Sequence, residues 1–188
     1  MNIVEPIRDM KILKLFLLEL KKKSERDYIM GLVGVYSGLR IGDILKLRVI
    51  DVDEKKEITL REQKTGKQRT FPINPYVRKE IDKYINTCDL DLKDYLIMSR
   101  QKDRQGRRKS ISRSRAYQVL NEAGDQFGLY NIGTHTLRKT FGYVYYEQIG
   151  DVVELQQIYN HSDPSVTLRY IGKKQAEINK NINRLKIF

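Results

Sequence analysis

Proton-transfer chemistry near neutral pH most readily uses histidine, and this chain of 188 residues has two, His135 and His161. His135 opens the run His135-Thr-Leu-Arg138, so an arginine follows three residues on. His161 opens His161-Ser-Asp-Pro-Ser-Val-Thr-Leu-Arg-Tyr170, so a tyrosine follows nine residues on. On a helix, an i, i+3 spacing puts His135 and Arg138 on one face, where both reach one ligand. An arginine fork beside a histidine suits an anion such as a phosphate, and a tyrosine hydroxyl beside them is a nucleophile in waiting. Among twelve tyrosines this spacing singles out Tyr170, with Tyr159 and Tyr146 next in line.

Composition supports an anionic partner. Lysines and arginines number 36 against 24 aspartates and glutamates, a formal charge of +12, which favours a polyanion and most simply nucleic acid. Eight basic residues, Arg100, Lys102, Arg104, Arg107, Arg108, Lys109, Arg113 and Arg115, share one stretch with a single acid, Asp103. With Gly106 inside it, this stretch reads as a loop that clamps a DNA backbone, against the plainer reading of a solvated charge run. Lys67, Arg69 and Lys139 are further candidate phosphate contacts. The single cysteine, Cys88, has no Cys or His neighbour at metal spacing, so a reducing compartment is expected and no metal or other cofactor is. The first ten residues lack a signal-peptide core, and the longest uncharged run, Tyr28 to Leu39, is too short to cross a bilayer. A cytoplasmic protein with no membrane partner is expected.

Periodicity supplies the elements that position these groups. Ile12, Leu13, Leu15, Phe16, Leu17 and Leu20 form a helical stripe. Ser24 can cap a second helix that carries Tyr28, Met30, Leu32, Val33, Val35 and Tyr36 into the core, with a break at Ser37-Gly38 that brings Arg40 out at a helix start. Short β-type runs at Glu57–Leu60 and Arg69–Ile73 flank Gly66, which suits a hairpin turn. Pro75 starts a helix with Val77, Ile81, Tyr84 and Ile85 on one face, and Tyr95-Leu-Ile-Met98 reads as a short buried segment. Ser112 or Ser114 caps the helix after the basic loop, and Thr134 caps one holding His135 and Arg138, with Leu137, Phe141, Val144 and Tyr145 as its buried stripe. Asp151 caps the next, and Asp163-Pro164 starts a short helix ending near Tyr170. Ala176, Ile178, Ile182, Leu185 and Phe188 make an amphipathic tail.

Four blocks together resemble the catalytic domain of the tyrosine recombinases, the phage-integrase family of DNA strand-exchange enzymes. They are Ser37-Gly-Leu-Arg-Ile-Gly-Asp-Ile-Leu-Lys-Leu47, Gln63-Lys-Thr-Gly-Lys-Gln-Arg69, His135-Thr-Leu-Arg138, and Asn160-His161 followed by Tyr170. They stand in the family's order and span most of the chain. One departure is visible: the family usually has glycine before its second histidine, where this chain has Asn160. Asparagine is the next best residue at positive φ, so the geometry is expected to survive.

The resemblance implies an α+β fold, mainly helical, with a small antiparallel sheet inserted near residues 55–75. It implies that Arg40 and Arg138 clamp the scissile phosphate, with His161 adding a hydrogen bond and Asp43 orienting Arg40 from behind. Tyr170 attacks, His135 accepts its proton, and Lys64 protonates the departing 5′ oxygen; by position alone Lys64 and Lys67 are equal, and the family's Lys-Thr-Gly favours Lys64. The product is a 3′-phosphotyrosyl link, made without ATP or metal. Residues 1–188 are read as one catalytic domain, with 1–10 an extension or linker remnant and 173–188 a tail helix that either swaps between protomers or docks on its own domain. Implied partners are double-stranded DNA, further copies in a tetrameric synapse, and accessory DNA-bending proteins as candidates, for a bacterial or phage-encoded protein of the nucleoid. The expected reaction is integration or excision of a phage or mobile element. A phase-variation invertase, a type IB topoisomerase-like relaxing enzyme and a non-catalytic DNA-binding module are the alternatives.

Overall fold

Apolar residues fill every turn from Tyr28 to Val35, and a helix without a polar stripe has to be enclosed. In the computed structural model, which describes residues 4–61 and 66–173, that helix is α2 (Glu25–Ser37) and its residues are buried on nearly every side. It packs against α1 (Met10–Lys23), α4 (Pro75–Thr87) and α6 (Thr136–Ile149). The short α3 (Ile41–Ile44) follows it, then one hairpin, β1 (Glu57–Arg61) and β2 (Gln68–Pro72). α5 (Arg113–Asp125) precedes α6, while α7 (Val152–Tyr159) and α8 (Pro164–Tyr170) follow it. The mainly helical α+β class with a hairpin near residues 55–75 is therefore the one found. No helix among the described residues is long and apolar enough to cross a membrane.

The strands pair antiparallel from Glu57↔Pro72 to Arg61↔Gln68, and Gly66 takes φ +67° between them. Ile58 and Phe71, directly opposite, turn to the core, while the Thr59 and Thr70 hydroxyls bond to each other at 2.9 Å on the other face. Tyr95–Met98 forms a turn, with Leu96 and Ile97 buried and Tyr95 and Met98 bridged to Arg48 and Ser110.

Four sequence expectations are corrected. Tyr36 lies at the surface, its ring tilted against Tyr76 with centres 6.3 Å apart, because the side of α2 it occupies lines an open groove. Ser24 sits at the N-cap of α2 but makes no capping bond; Glu25 and Asp27 in the first turn supply the favourable charge instead. Thr134 does not cap α6, whose N-cap is His135; Gly133 N–H donates to the Thr136 hydroxyl at 3.0 Å and closes the turn one residue later. The buried face of α6 is also not the apolar stripe: Leu137 is buried, yet Phe141, Val144 and Tyr145 are only partly so, and Thr136, Arg138, Thr140 and Gly142 point inward. Residues 4–8 explain part of this, since they cross α6, with Ile7 buried and its N–H donating to the Thr140 hydroxyl at 2.9 Å.

Beyond the main core lies a small aromatic one. Leu155, Tyr159 and Ile171 are fully buried there, and Phe141, Tyr143, Tyr145, Tyr146 and Tyr170 pack around them. This cluster holds α7 and α8 against α6. The expected tail helix lies outside the described residues, apart from Lys173.

Burial pushes the phenols of Tyr28, Tyr84 and Tyr159 up from their ordinary value, in Tyr28 with help from its 2.8 Å hydrogen bond to Tyr76. Unfolded phenols titrate near pH ~10 and these later, so the folded state is fully favoured below pH ~10 and loses stability as pH rises beyond it. Urea midpoints are expected to fall above that pH, and less steeply in Tyr28→Phe/Tyr84→Phe. An equal fall in both proteins would contradict this.

Candidate active site

Arg138 carries its charge into the interior, only 2% exposed, and a buried charge needs polar partners. One terminal nitrogen donates to the Gly38 carbonyl and the other to the Tyr159 carbonyl at 3.2 Å. Gly38 offers its carbonyl there because it ends α2 in the left-handed region, φ +63°, a turn that glycine takes without a Cβ penalty. The same turn brings Arg40 to the start of α3, half-buried. Arg40, the buried Asp43, Arg113, Thr134 and His135 line one cavity of about 360 Å³. Gly42 makes room for Arg113, since a Cβ at that position would overlap the guanidinium. Arg113, expected only as a backbone contact, thus sits beside Arg40.

Tyr170, the last residue of α8, meets His135 directly: its hydroxyl lies 3.1 Å from His135 Nδ1, with the rings edge to face. Asp163 caps α8 by accepting from Ser165 N–H at 2.7 Å, and Pro164 follows, as expected. Burial raises the Tyr170 phenol above its ordinary value, while the Arg138 charge, a hydrogen bond from Arg138 and the Arg40 charge pull it back. The hydroxyl is thus a protonated group placed against the His135 ring nitrogen and held in a cationic field. His161 lies edge-on to Tyr170 at 5.3 Å, and its Nδ1 is 3.0 Å from the buried Thr167 hydroxyl, which fixes the ring.

Asn160 ends α7 at φ +52°, so the geometry does survive the departure from glycine. Its Oδ1 accepts from Lys67 Nζ at 3.1 Å, which joins the hairpin turn to the residue beside His161. Lys64 lies outside the described residues. Lys139, expected to touch DNA, donates instead to the Val4 carbonyl at 2.8 Å and sits 5.2 Å from the Tyr170 ring centre; burial lowers its ammonium below the usual value.

The basic loop divides. Arg100, Lys102 and Arg104 are exposed, and Arg69 lies over Phe71 on β2. Arg107 pairs with Asp103 at 2.8 Å, Arg115 with Glu122 at 3.6 Å, and Arg108 with the buried Asp94. Arg108 therefore has a structural use, and Arg108→Ala is expected to cost about 1–2 kcal/mol, a buried-pair loss discounted for the exposed guanidinium. Thermal melting checks this, and an unchanged melting temperature would return Arg108 to the solvated set. Sequence reading missed Thr167, Gly42 and the central place of Tyr159, whose adjacency to Asn160-His161 was the one available signal.

A helical domain with an inserted hairpin, in which two arginines, two histidines and a tyrosine from distant segments converge, has known counterparts. Residues 9–177 match the phage integrase family. The probable integrase/recombinase YoeC of Bacillus subtilis (strain 168) is 45% identical over 172 residues, covering 92% of this chain and 91% of that protein. A crystal structure of XerA recombinase superposes with a TM-score of 0.73 at 23% identity, over 98% of this chain and 67% of that one. The XerH site-specific recombinase bound to palindromic difH substrate in a post-cleavage complex gives 0.72 at 17% identity, over 97% and 54%. The chain belongs to the phage integrase family and is a tyrosine recombinase. It spans about half the length of the curated XerA relatives it also matches.

Proposed function

We propose that this chain cleaves duplex DNA by attack of the Tyr170 hydroxyl on a phosphodiester and rejoins it by the reverse step. The observation that carries this is the 3.1 Å contact between Tyr170 and His135 beside the buried fork of Arg138. Tyr170 Oη bonds to phosphorus as the bond to the 5′ oxygen breaks; the phenol proton passes to His135, and Lys64 gives one to the 5′ oxygen. Arg138 and Arg40 meet the charge on the non-bridging oxygens, His161 adds a hydrogen bond, and Asp43 orients Arg40. The 3′-phosphotyrosyl bond stores the energy of the one broken, so a 5′ hydroxyl can reseal it. Arg100, Lys102 and Arg104 are the phosphate contacts this reading keeps outside the centre, while Arg113, in the cavity with Arg40, is one within it. A binding module without chemistry would have no use for a proton acceptor on a tyrosine. The fold it shares with XerH, which is bound to its palindromic difH substrate in a post-cleavage complex, supports duplex DNA as the partner.

Incubation with a random-sequence library of nicked duplexes, followed by denaturation, tests the reaction. A covalent protein–DNA adduct is expected, and its absence with DNA still bound would contradict the reading. Lys64 is tested with a bridging 5′-thio substrate, whose leaving group departs unprotonated. Wild type and Lys64→Ala are expected to cleave it alike and to differ on the ordinary substrate; a mutant equally defective on both would remove Lys64 as the acid.

A further inference from the structure

We propose that Tyr159 is a positioning residue for Arg138, holding the guanidinium at the angle from which it serves the phosphate; this rests on the clamp reading of Arg138. The two residues grip each other reciprocally. The Tyr159 hydroxyl donates to the Arg138 carbonyl, and Arg138 Nη2 donates to the Tyr159 carbonyl at 3.2 Å. The guanidinium carbon also lies 4.2 Å from the centre of the Tyr159 ring, a desolvated cation–π contact. Arg138 is thereby fixed by its main chain, by one fork nitrogen and by its flat face, with Gly38 taking the other fork nitrogen. A long side chain with that many restraints has one orientation left, which is what a preorganised donor requires.

Other contacts favour positioning over mere packing. The Tyr159 ring is edge-on to Tyr170 at 5.3 Å and tilted against His161 at 5.2 Å, so one aromatic plate borders the arginine, the nucleophile and the second histidine. Room for its hydroxyl is built in, because a Cβ on Gly142 would overlap that oxygen. Fully buried and committed to a carbonyl, Tyr159 does not compete with Tyr170 as nucleophile, and burial keeps its phenol a neutral donor.

The test compares an ordinary phosphodiester with a methylphosphonate, in which a methyl group replaces one charged non-bridging oxygen and removes the charge an arginine would meet. Tyr159→Leu is expected to slow single-turnover cleavage of the phosphodiester about ten- to a hundredfold, somewhat less than losing the donor itself, with DNA affinity within a few fold. On the methylphosphonate it is expected to match wild type within about threefold, as Arg138→Ala should if charge stabilisation is what was lost. Tyr159→Phe keeps the ring and loses the hydroxyl, so it is expected to lie between the two and carries the same comparison if Tyr159→Leu does not fold. If Arg138→Ala recovers on the methylphosphonate while the Tyr159 variants stay equally slow on both substrates, Tyr159 acts otherwise and the proposal is overturned. If Arg138→Ala itself fails to recover, the clamp reading falls, and this inference with it.

Discussion

Tyr170→Phe is expected to abolish covalent attachment to DNA while leaving DNA binding within a few fold. The ring makes the edge contacts with Tyr159, His161 and His135, and phenylalanine keeps them. Only the hydroxyl that lies on His135 Nδ1 is lost, and an activated nucleophile has no substitute within a concerted set. Denaturing gels read the adduct and filter binding reads the affinity. An adduct that persists would move the role to another tyrosine, and Tyr146, at the edge of the aromatic cluster, would be first in line.

Arg138→Ala is expected to lower cleavage by about a hundredfold or more, the scale of losing one preorganised donor. Because the side chain is buried, a second effect accompanies it: the Gly38 and Tyr159 carbonyls lose their donors, at a cost of about 1–3 kcal/mol each when left unsatisfied. Arg138→Lys should rescue little, since one ammonium cannot span two carbonyls and still present a planar fork. Single-turnover cleavage together with chemical denaturation separates the two effects. Near-normal cleavage by Arg138→Lys would contradict the clamp.

The ends of the site were legible in the chain because short-range rules govern them. Asp163-Pro164 starts a helix whose length places Tyr170 at its end, Gly38 and Gly66 turn where positive φ is needed, and Asn160 tolerates the φ expected of a glycine. Contacts between distant segments were not legible. Nothing local says that Arg138 is buried, since its partners Gly38 and Tyr159 come from other helices, and Tyr159 read alone is an ordinary apolar-face aromatic. The inward face of α6 departs from its apolar stripe for a related reason: Thr140 is satisfied by the segment at 4–8 and Arg138 by Tyr159 and Gly38, which periodicity within one helix does not register. Arg108 reads as one charge in a run because its buried partner Asp94 lies before the loop, fourteen residues away.

The position of the covalent bond tests the central claim most directly. Wild-type protein trapped on a nicked duplex, digested and sequenced by mass spectrometry, is expected to yield one DNA-linked peptide, with a 3′-phosphate esterified to Tyr170. A link at any other residue, or a 5′-phosphate on Tyr170, would contradict the mechanism.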